Sequence, residues 1–485
     1  METMKQKEDN LKHEMIYSLI WKFAERAGVQ IVSLVLAIIL ARLLSPGDYG
    51  LVAILLVFIT IADVFVNAGF SGALIQNNDV NDDDFSSVLC LSIIFSIIIY
   101  SIIFILSPYI ANLYNMPDLC NALRVLAVRI PIAAINSVQQ AYLSKKLQFK
   151  KFFYATVSGT ISSAIIGIVL AYIGFSFWAL IWQYLVNAIV NTLVLWKIID
   201  WKPKLRVSVM RMRVLFNFGW KLLVSNLLNS IYNSLSSLFI GRFYSPDSLG
   251  YFTTGQKFPL LIVSNVNDSI SSVLFPALAS EQENRAKLKA ITRRAMKISS
   301  YIMWPILLGL AACADSIISL IFTDKWLPAV PYLRIACITY GLWPLHTANI
   351  QVINAVGRSD IFLKMEVVKK ILGVIALLIS VQYGVIAIAL SELITGVISL
   401  FINAYPSRYL IKYSLRQQIV DILPSFCTAV LMALVVYSVE LVAIIPIYKI
   451  VLQIIIGLGI YIGLSKVLKL ESYVYIINYL KERRG

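Results

Sequence analysis

The chain repeats one of its own segments two hundred residues later. Residues 41–50 read ARLLSPGDYG and residues 241–250 read GRFYSPDSLG, so an arginine, a serine, a proline and a glycine recur in register. The same offset pairs Asn67 with Asn267 and Ser71 with Ser271. Each copy follows one long apolar run and opens another, which predicts a duplicated bundle of membrane helices. Such duplication is a common plan for transporters.

Fourteen apolar segments are long enough to span a bilayer, which takes about 20 residues each. Hydrophobic residues make up 59% of the chain and charged residues 14%, whereas soluble domains contain about 45–50% apolar residues. We therefore predict an all-α integral membrane protein with about 14 transmembrane helices. The predicted spans are 16–43, 49–74, 86–110, 119–143, 152–173, 178–196, 214–241, 249–275, 297–322, 328–355, 363–383, 385–403, 419–441 and 444–465.

Lysine and arginine residues are concentrated on one side of the predicted membrane. Seven segments hold 31 of the 42 basic residues, namely 5–12, 145–151, 197–213, 285–297, 358–370, 408–416 and 466–484. Because cytoplasmic loops are enriched in Lys and Arg, we expect these segments and both termini in the cytoplasm. The net charge of +16 is thus mostly a topology signal, and it does not indicate a nucleic-acid-binding surface.

The repeat divides the chain into two lobes and a C-terminal extension. We predict an N-terminal six-helix lobe at 1–200, a cytoplasmic basic linker at 201–213, a C-terminal six-helix lobe at 214–405, and an extra helix pair with a basic tail at 406–485. A second offset of 210 pairs Gly174 with Gly384. Six spans in each half leave both halves in the same orientation, so the repeat is parallel. We expect Gly50 and Gly250 at tight exterior turns.

Several classes of protein are disfavoured by what the sequence lacks. It contains no GxxxxGK[ST] phosphate loop, so we expect no built-in ATPase. The exterior loops are short, which disfavours a membrane polymerase acting on sugars. The two histidines, His13 and His346, and the five scattered cysteines do not indicate a metal site or a disulfide framework. We expect His346 to pack between helices, and we expect neither enzyme activity nor a cofactor.

Two of the predicted spans carry polar residues at steps of three and four, which place them on one helix face. Such stripes indicate helices that line a wet cavity, and hydrogen bonding between helices is the alternative. The stripes contain Lys221, Ser225, Asn229 and Asn233 in the seventh span, and Lys257, Ser264, Asn265 and Asp268 in the eighth.

Ionisable residues within apolar spans are rare and usually functional. The basic ones are Lys22, Arg26, Arg124, Arg129, Lys221, Lys257 and Arg334. They outnumber the acidic ones, so a cleft lined by them would suit an anion such as a diphosphate. Lys22 and Lys221 could instead extend to the inner interface. Asp63, Asp268 and Glu392 could hold a coupling proton or sodium ion, or they could neutralise a nearby Arg or Lys.

Several stretches resemble bacterial polysaccharide flippases. They are SPGDYGL at 45–51, Asp63 with NAGFSGALI at 67–75, QAYLSKKLQF at 140–149 and AVGR at 355–358. These flippases belong to the multidrug, oligosaccharidyl-lipid and polysaccharide exporter superfamily. The resemblance implies two six-helix lobes that form a V-shaped cleft, plus two C-terminal helices. It also implies cargo linked to undecaprenyl diphosphate, no ATP hydrolysis, and a diphosphate-binding role by position for Arg26, Lys221 and Lys257.

We therefore expect a flippase that moves a lipid-linked oligosaccharide across the bacterial cytoplasmic membrane for polysaccharide biosynthesis. A cation-coupled multidrug exporter of the same fold is the alternative, although its cationic substrates would favour an acidic cleft. A purely structural membrane protein also stays open. The expected partners are the lipid-linked oligosaccharide, membrane lipids, and a polysaccharide polymerase with other assembly proteins, but not nucleic acid.

Overall fold

A computed structural model describes residues 2–67, 74, 81–203, 209–442 and 445–482. Within helices, the side chains of residues 2–16, 18, 19, 67, 209–219, 221, 222 and 480 lie outside the description. The described ranges contain eighteen α-helices and no β-strand. In order they are α1 Glu2–Leu43, α2 Pro46–Asn67, α3 Asp82–Tyr114, α4 Asp118–Ala127, α5 Arg129–Lys145, α6 Phe149–Tyr172, α7 Phe177–Ile198, α8 Val209–Phe243, α9 Pro246–Ala279, α10 Arg285–Ala312, α11 Ala314–Phe322, α12 Val330–Gly341, α13 Trp343–Ala355, α14 Ser359–Ser380, α15 Val385–Leu410, α16 Leu415–Glu440, α17 Pro446–Val467 and α18 Glu471–Glu482, with a 3₁₀ helix at Asp324–Ala329.

Among the described residues, ten helices are long and apolar enough to cross a membrane. The described parts of all fourteen predicted apolar segments lie mainly in helices, with residues 68–73 of segment 49–74 and residue 444 outside the description. Segments 119–143, 297–322 and 328–355 are each divided between two helices. The first becomes α4 and α5, of 10 and 17 residues, and neither reaches the length of about 20 that a span needs. The protein is an all-α multi-pass membrane protein, as predicted, and the count of fourteen spans stays a prediction.

The backbone repeats as the sequence does. Helices α2 and α9 begin at the equivalent prolines Pro46 and Pro246. Before each proline, the hydroxyl of Ser45 or Ser245 accepts a hydrogen bond from the backbone amide three residues later, at 3.1 and 3.2 Å. Serine at the N-cap and proline at the first helical position are both favoured at helix starts. The matches at Ser71 and at the side chain of Asn67 lie outside the description.

The second repeat offset also has a structural basis. Gly174, between α6 and α7, has a φ of +92°, and Gly384, between α14 and α15, has a φ of +106°. Only glycine adopts this region of φ without strain. The pairing of these glycines therefore reflects the same backbone conformation between equivalent helices.

The chain forms two compact units, residues 1–250 and 251–485. The first contains α1 to α8 and the first residues of α9, and one of its cores joins Leu40 of α1, Val52 of α2 and Ala179 of α7. The second contains the remaining helices, and one of its cores joins Trp304 of α10 and Met432 of α16. The predicted division at the basic segment 201–213 and the predicted cleft stay predictions, and residues 204–208 of that segment lie outside the description.

Within the first unit, the two copies of the repeated motif touch each other. A Cβ atom on Gly50 would lie 2.5 Å from the carbonyl carbon of Pro246, and one on Gly250 would lie 2.8 Å from that of Pro46. Carbon atoms normally pack at about 3.5–4.0 Å, so only glycine permits this approach. The expectation of tight turns at both glycines is wrong, because each is the fifth residue of its helix, where it allows close backbone packing.

Candidate functional site

A partly buried ion pair joins two of the predicted site residues in the first unit. Nη1 of Arg129 on α5 lies 2.7 Å from Oδ2 of Asp63 on α2, and their side chains are 28% and 20% exposed. The other oxygen of Asp63, Oδ1, is buried and has no hydrogen-bond partner among the described residues. Because each charge already has a partner, Arg129 is less available to a phosphate and Asp63 less available to a coupling ion.

The two predicted site residues on helix α1, Lys22 and Arg26, differ in their pairing. Nζ of Lys22 lies 2.6 Å from Oε2 of Glu25 and 4.9 Å from the ring centre of Phe152. Arg26, one helical turn further on, is exposed and forms no ion pair within the described part of the chain. Arg26 therefore remains the stronger candidate for binding an external anion.

Arg124 and Arg334 occupy equivalent positions, 210 residues apart, and make similar contacts. Nε of Arg124 donates to Oγ of Ser107 at 2.8 Å, and its guanidinium lies 4.3 Å from the ring centre of Phe104. Nε of Arg334 donates to the carbonyl oxygen of Ala311 at 3.2 Å, and its guanidinium pairs with Asp315. Each arginine thus fastens its helix to the preceding one. These contacts favour a packing role, and anion binding by Arg124 and Arg334 stays a prediction.

The polar stripes of α8 and α9 are largely exposed. Asn229, Asn233 and Ser225 on α8 and Asn265 and Asp268 on α9 present exposed side chains. Side chains buried between packed helices would instead be the pattern expected for interhelical hydrogen bonding. Both the cavity-lining interpretation of the stripes and the hydrogen-bonding alternative stay predictions. The side chain of Lys221 lies outside the description.

Lys257 on α9 is exposed and has no acidic partner among the described residues. The residue before it, Gln256, donates from Nε2 to Oε2 of Glu392 at 2.9 Å, and the hydroxyl of Tyr340 donates to Oε1 of Gln256 at 3.3 Å. The sequence stripe did not include Gln256 or Tyr340. The position of Gln256 beside Lys257 in an apolar span is a signal that could have identified it.

The three predicted acidic residues differ in their surroundings. Asp63 is paired with Arg129, Glu392 accepts a hydrogen bond from Gln256, and Asp268 is exposed without an ion pair to any described residue. Nδ1 of His346 lies 3.0 Å from Nδ2 of Asn403, which joins α13 to α15. The described residues contain no group of three His, Cys, Asp or Glu side chains that could hold a metal ion, and the side chain of His13 lies outside them.

Comparison with known proteins connects this arrangement to one family. A family model described as polysaccharide biosynthesis protein matches residues 39–331. The teichuronic acid biosynthesis protein TuaB of Bacillus subtilis is 25% identical over 399 residues, which cover 78% of this chain and 79% of TuaB. The lipopolysaccharide biosynthesis protein WzxC of Escherichia coli is 25% identical over 405 residues, covering 82% and 81%.

Solved structures with the same fold include two kinds of transporter. The lipid II flippase MurJ in an inward closed conformation gives a TM-score of 0.74 at 17% identity and covers 93% of this chain and 98% of its own. An inward-facing multidrug resistance MATE family transporter gives 0.62 at 18% identity, covering 80% and 96%. At these identities the similarity concerns the fold alone. The matched family model covers more than half of the chain, and the protein therefore belongs to the polysaccharide biosynthesis protein family, in agreement with the resemblance to polysaccharide flippases.

Proposed function

We propose that the protein moves a lipid-linked oligosaccharide, carried on undecaprenyl diphosphate or a similar lipid, from the inner to the outer face of the bacterial cytoplasmic membrane. Relatives named for teichuronic acid and lipopolysaccharide biosynthesis support this proposal, as does the fold shared with a lipid II flippase. Transport does not involve catalysis or ATP hydrolysis in this proposal. A polysaccharide polymerase and other assembly proteins are the proposed protein partners.

The pairing of the charged candidate residues supports an anionic cargo. Arg26 and Lys257 are exposed and lack acidic partners in the described part of the chain, whereas Asp63 is neutralised by Arg129 and Asp268 is the one predicted acid that is exposed without an ion pair there. A diphosphate carries about two negative charges, and its passage through a low-dielectric region requires fixed positive partners. The unpaired basic residues can supply these partners, and a cationic drug would be repelled by them.

Alternating access requires that the N-terminal ends of α2 and α9, which touch each other in the first unit, adopt two different arrangements. The glycine contacts between α2 and α9 hold two backbones together, and their separation would open this end of the protein. We propose that the cargo is released when these helix ends separate. The lipid chain need not enter a polar space, since it can remain in the bilayer while the head group crosses.

The cargo proposal is tested by charge reversal in a strain that lacks the chromosomal gene. Arg26→Glu or Lys257→Glu should abolish surface polysaccharide and cause lipid-linked precursor to accumulate on the inner face. Arg285→Glu is the matched control, since Arg285 is an exposed basic residue at the start of α10, and it should support normal export. Normal export by both test variants at equal abundance would contradict the proposal. Increased drug sensitivity of the deletion strain, with unchanged polysaccharide, would support a drug exporter instead.

Ion coupling through a carboxylate is a separate part of the proposal. Asp268 is the most available acid because it is exposed and unpaired within the described chain, whereas Asp63 and Glu392 already have partners. Neutralising all three, with Asp→Asn and Glu→Gln, should abolish the dependence of export on the proton or sodium gradient. Export that keeps its dependence in the triple variant would exclude carboxylate coupling.

The proposed topology places both termini in the cytoplasm. Single cysteines introduced at Gly47 or Asp247 should react with a membrane-impermeant maleimide added to intact cells. A cysteine at Lys202, in the basic linker, should react only after the membrane is permeabilised. Labelling at position 202 in intact cells would overturn this orientation.

A further inference from the structure

The second unit contains a groove that neither of the two proposed cargo cations, Arg26 and Lys257, lines. It lies between α9 and α10 and has a volume of about 1120 Å³. Its floor includes Leu274, which is 4% exposed, and the partly buried Ile291 and Ala295. Its walls include Val273 and Ile302, which are 71% and 40% exposed. The groove is thus an open apolar channel on a membrane protein, which is the environment that a lipid chain prefers.

One end of the groove, here called the basic end, is lined by Lys289, Arg293 and Arg294 and by Glu471 of α18. Most of these side chains are already engaged. Nζ of Lys289 donates to the carbonyl oxygen of Lys412 at 2.9 Å. Nη2 of Arg293 lies 3.0 Å from Oε2 of Glu471. Arg294 is different, because it is exposed and has no acidic partner among the described residues.

The basic end keeps a net positive charge after its internal pairing. Two of its residues form ion pairs with two residues outside the groove lining, Lys297 and Asp421. Together, four cationic side chains surround only two carboxylates, and the six residues are Lys289, Arg293, Arg294, Lys297, Asp421 and Glu471. The guanidinium of Arg294 lies 4.6 Å from the ring centre of Tyr475, which holds it in position without neutralising it. This end therefore attracts an anion, and Arg294 is the group best placed to bind it.

Helix α18 adds exposed tyrosines to the basic end, a combination that is typical of the membrane–water interface. The helix presents Tyr475 and Tyr479, which are 39% and 48% exposed, while Tyr473 and Ile476 pack against the core of the second unit. Tyrosines and basic residues concentrate where the hydrocarbon layer meets the head groups, and amphipathic helices lie in that plane. The lysine and arginine pattern of the sequence assigns this end to the cytoplasmic side.

We propose that the groove binds an anionic phospholipid of the cytoplasmic leaflet, with an acyl chain on the apolar floor and the phosphate at Arg294. The apolar floor and the net positive charge of the basic end together match a ligand with an apolar chain and an anionic head. Basic pockets between membrane helices on the cytoplasmic side bind such head groups. Asn265 of the α9 stripe lines this groove but Lys257 and Arg26 do not, so a bound phospholipid leaves the two proposed cargo cations free. The proposal does not depend on which cargo is carried.

The test measures binding of phosphatidylglycerol to the purified full chain by native mass spectrometry, with phosphatidylcholine as the neutral comparison. The wild type should bind phosphatidylglycerol more tightly than phosphatidylcholine. Arg294→Gln should weaken phosphatidylglycerol binding about fivefold, as expected for one cation near a lipid surface. The matched control Arg285→Gln removes a basic residue from the same helix outside the groove, and it should bind as the wild type does.

A second variant keeps the test informative if Arg294→Gln perturbs the fold. Ala290→Phe places a ring at an exposed position of the groove lining, and it should weaken binding of phosphatidylglycerol while leaving the melting temperature unchanged. Equal affinity of the wild type for both lipids, or equal binding by Arg294→Gln and Arg285→Gln, would overturn the proposal. Displacement of phosphatidylglycerol by a lower concentration of polyprenyl diphosphate would also overturn it, because the groove would then belong to the cargo lipid.

Discussion

Variants of Arg129 and Asp63 can distinguish a structural role of their ion pair from a role of these residues in cargo binding. Arg129→Gln removes the guanidinium 2.7 Å from the Asp63 carboxylate and leaves that carboxylate without its cationic partner. Breaking a buried pair on one side costs about 3–5 kcal/mol. Because the two side chains are 28% and 20% exposed, solvent screening reduces the expected loss to about 2–3 kcal/mol.

For the double variant Asp63→Asn/Arg129→Gln we expect little loss in the free energy of unfolding. It replaces both charges by amides that can hydrogen-bond to each other, so no charge remains without a partner. Because the double variant leaves no uncompensated charge, it avoids the main cost of breaking the pair on one side, and we expect the free energy of unfolding to return to within about 1 kcal/mol of the wild type. The recovery would show that the ion pair, rather than either residue alone, sets the stability of this region.

The measurement is thermal unfolding of the detergent-solubilised protein, followed by tryptophan fluorescence. A loss of about 2–3 kcal/mol should lower the melting temperature by roughly 4–12 °C in a unit of this size. Lys151→Gln is the matched control, since it breaks a pair with Asp200 in which the carboxylate side chain is 80% exposed. Exposed pairs contribute about 0–1 kcal/mol, so the control should melt within roughly 4 °C of the wild type.

Two results would refute the reasoning. An unchanged melting temperature for Arg129→Gln would mean that the ion pair does not stabilise the protein. A double variant as unstable as the single one would mean that the unpaired carboxylate is not the cause of the loss. Measuring export by the double variant tests the functional roles separately. If this variant is stable and exports normally, Arg129 and Asp63 do not belong to the proposed cargo and coupling sites.

Three other variants test separate features. Gly50→Ala should lower export sharply because its Cβ would overlap the carbonyl group of the opposing proline, whereas Gly463→Ala, with open space around its Cβ, should have no effect; equal export by both would contradict the close packing. Hydrogen bonds from Lys297 and then Arg293 hold the pKa of Glu471 below 4.5 despite its partial burial, so its stabilisation is complete above pH 4.5 and is lost as the pH falls through the lowered pKa. The difference in melting temperature between the wild type and Glu471→Gln should therefore shrink below pH 4.5, and a constant difference would argue against the pairing. Arg26→Lys should retain more export than Arg26→Ala but less than the wild type, because a point charge replaces a bidentate donor, and equal export by all three would remove Arg26 from the cargo site.

Arg26 and Lys257 were candidates from the sequence alone, because a charge within an apolar span is costly and therefore unusual. The sequence could not show which candidates would be neutralised. Arg129 meets Asp63 across 66 positions of the chain, and Arg124 meets Ser107 across 17. Such partners depend on how helices pack and rotate against one another, and a single sequence does not contain that information in its local pattern.

The sequence by itself determined the membrane class and the duplication, since apolar length and a repeated motif are both local patterns. The starts of α2 and α9 also have a local basis, because proline and the serine cap act within a few residues. The positive φ angles at Gly174 and Gly384 follow the repeat for the same local reason. Only the tertiary structure decided that segments such as 119–143 divide into two helices and that Gly50 packs against Pro246. It also decided that the groove between α9 and α10 keeps an unpaired cation at Arg294. These features arise from contacts between residues distant in sequence, where packing and the pairing of charges are settled together.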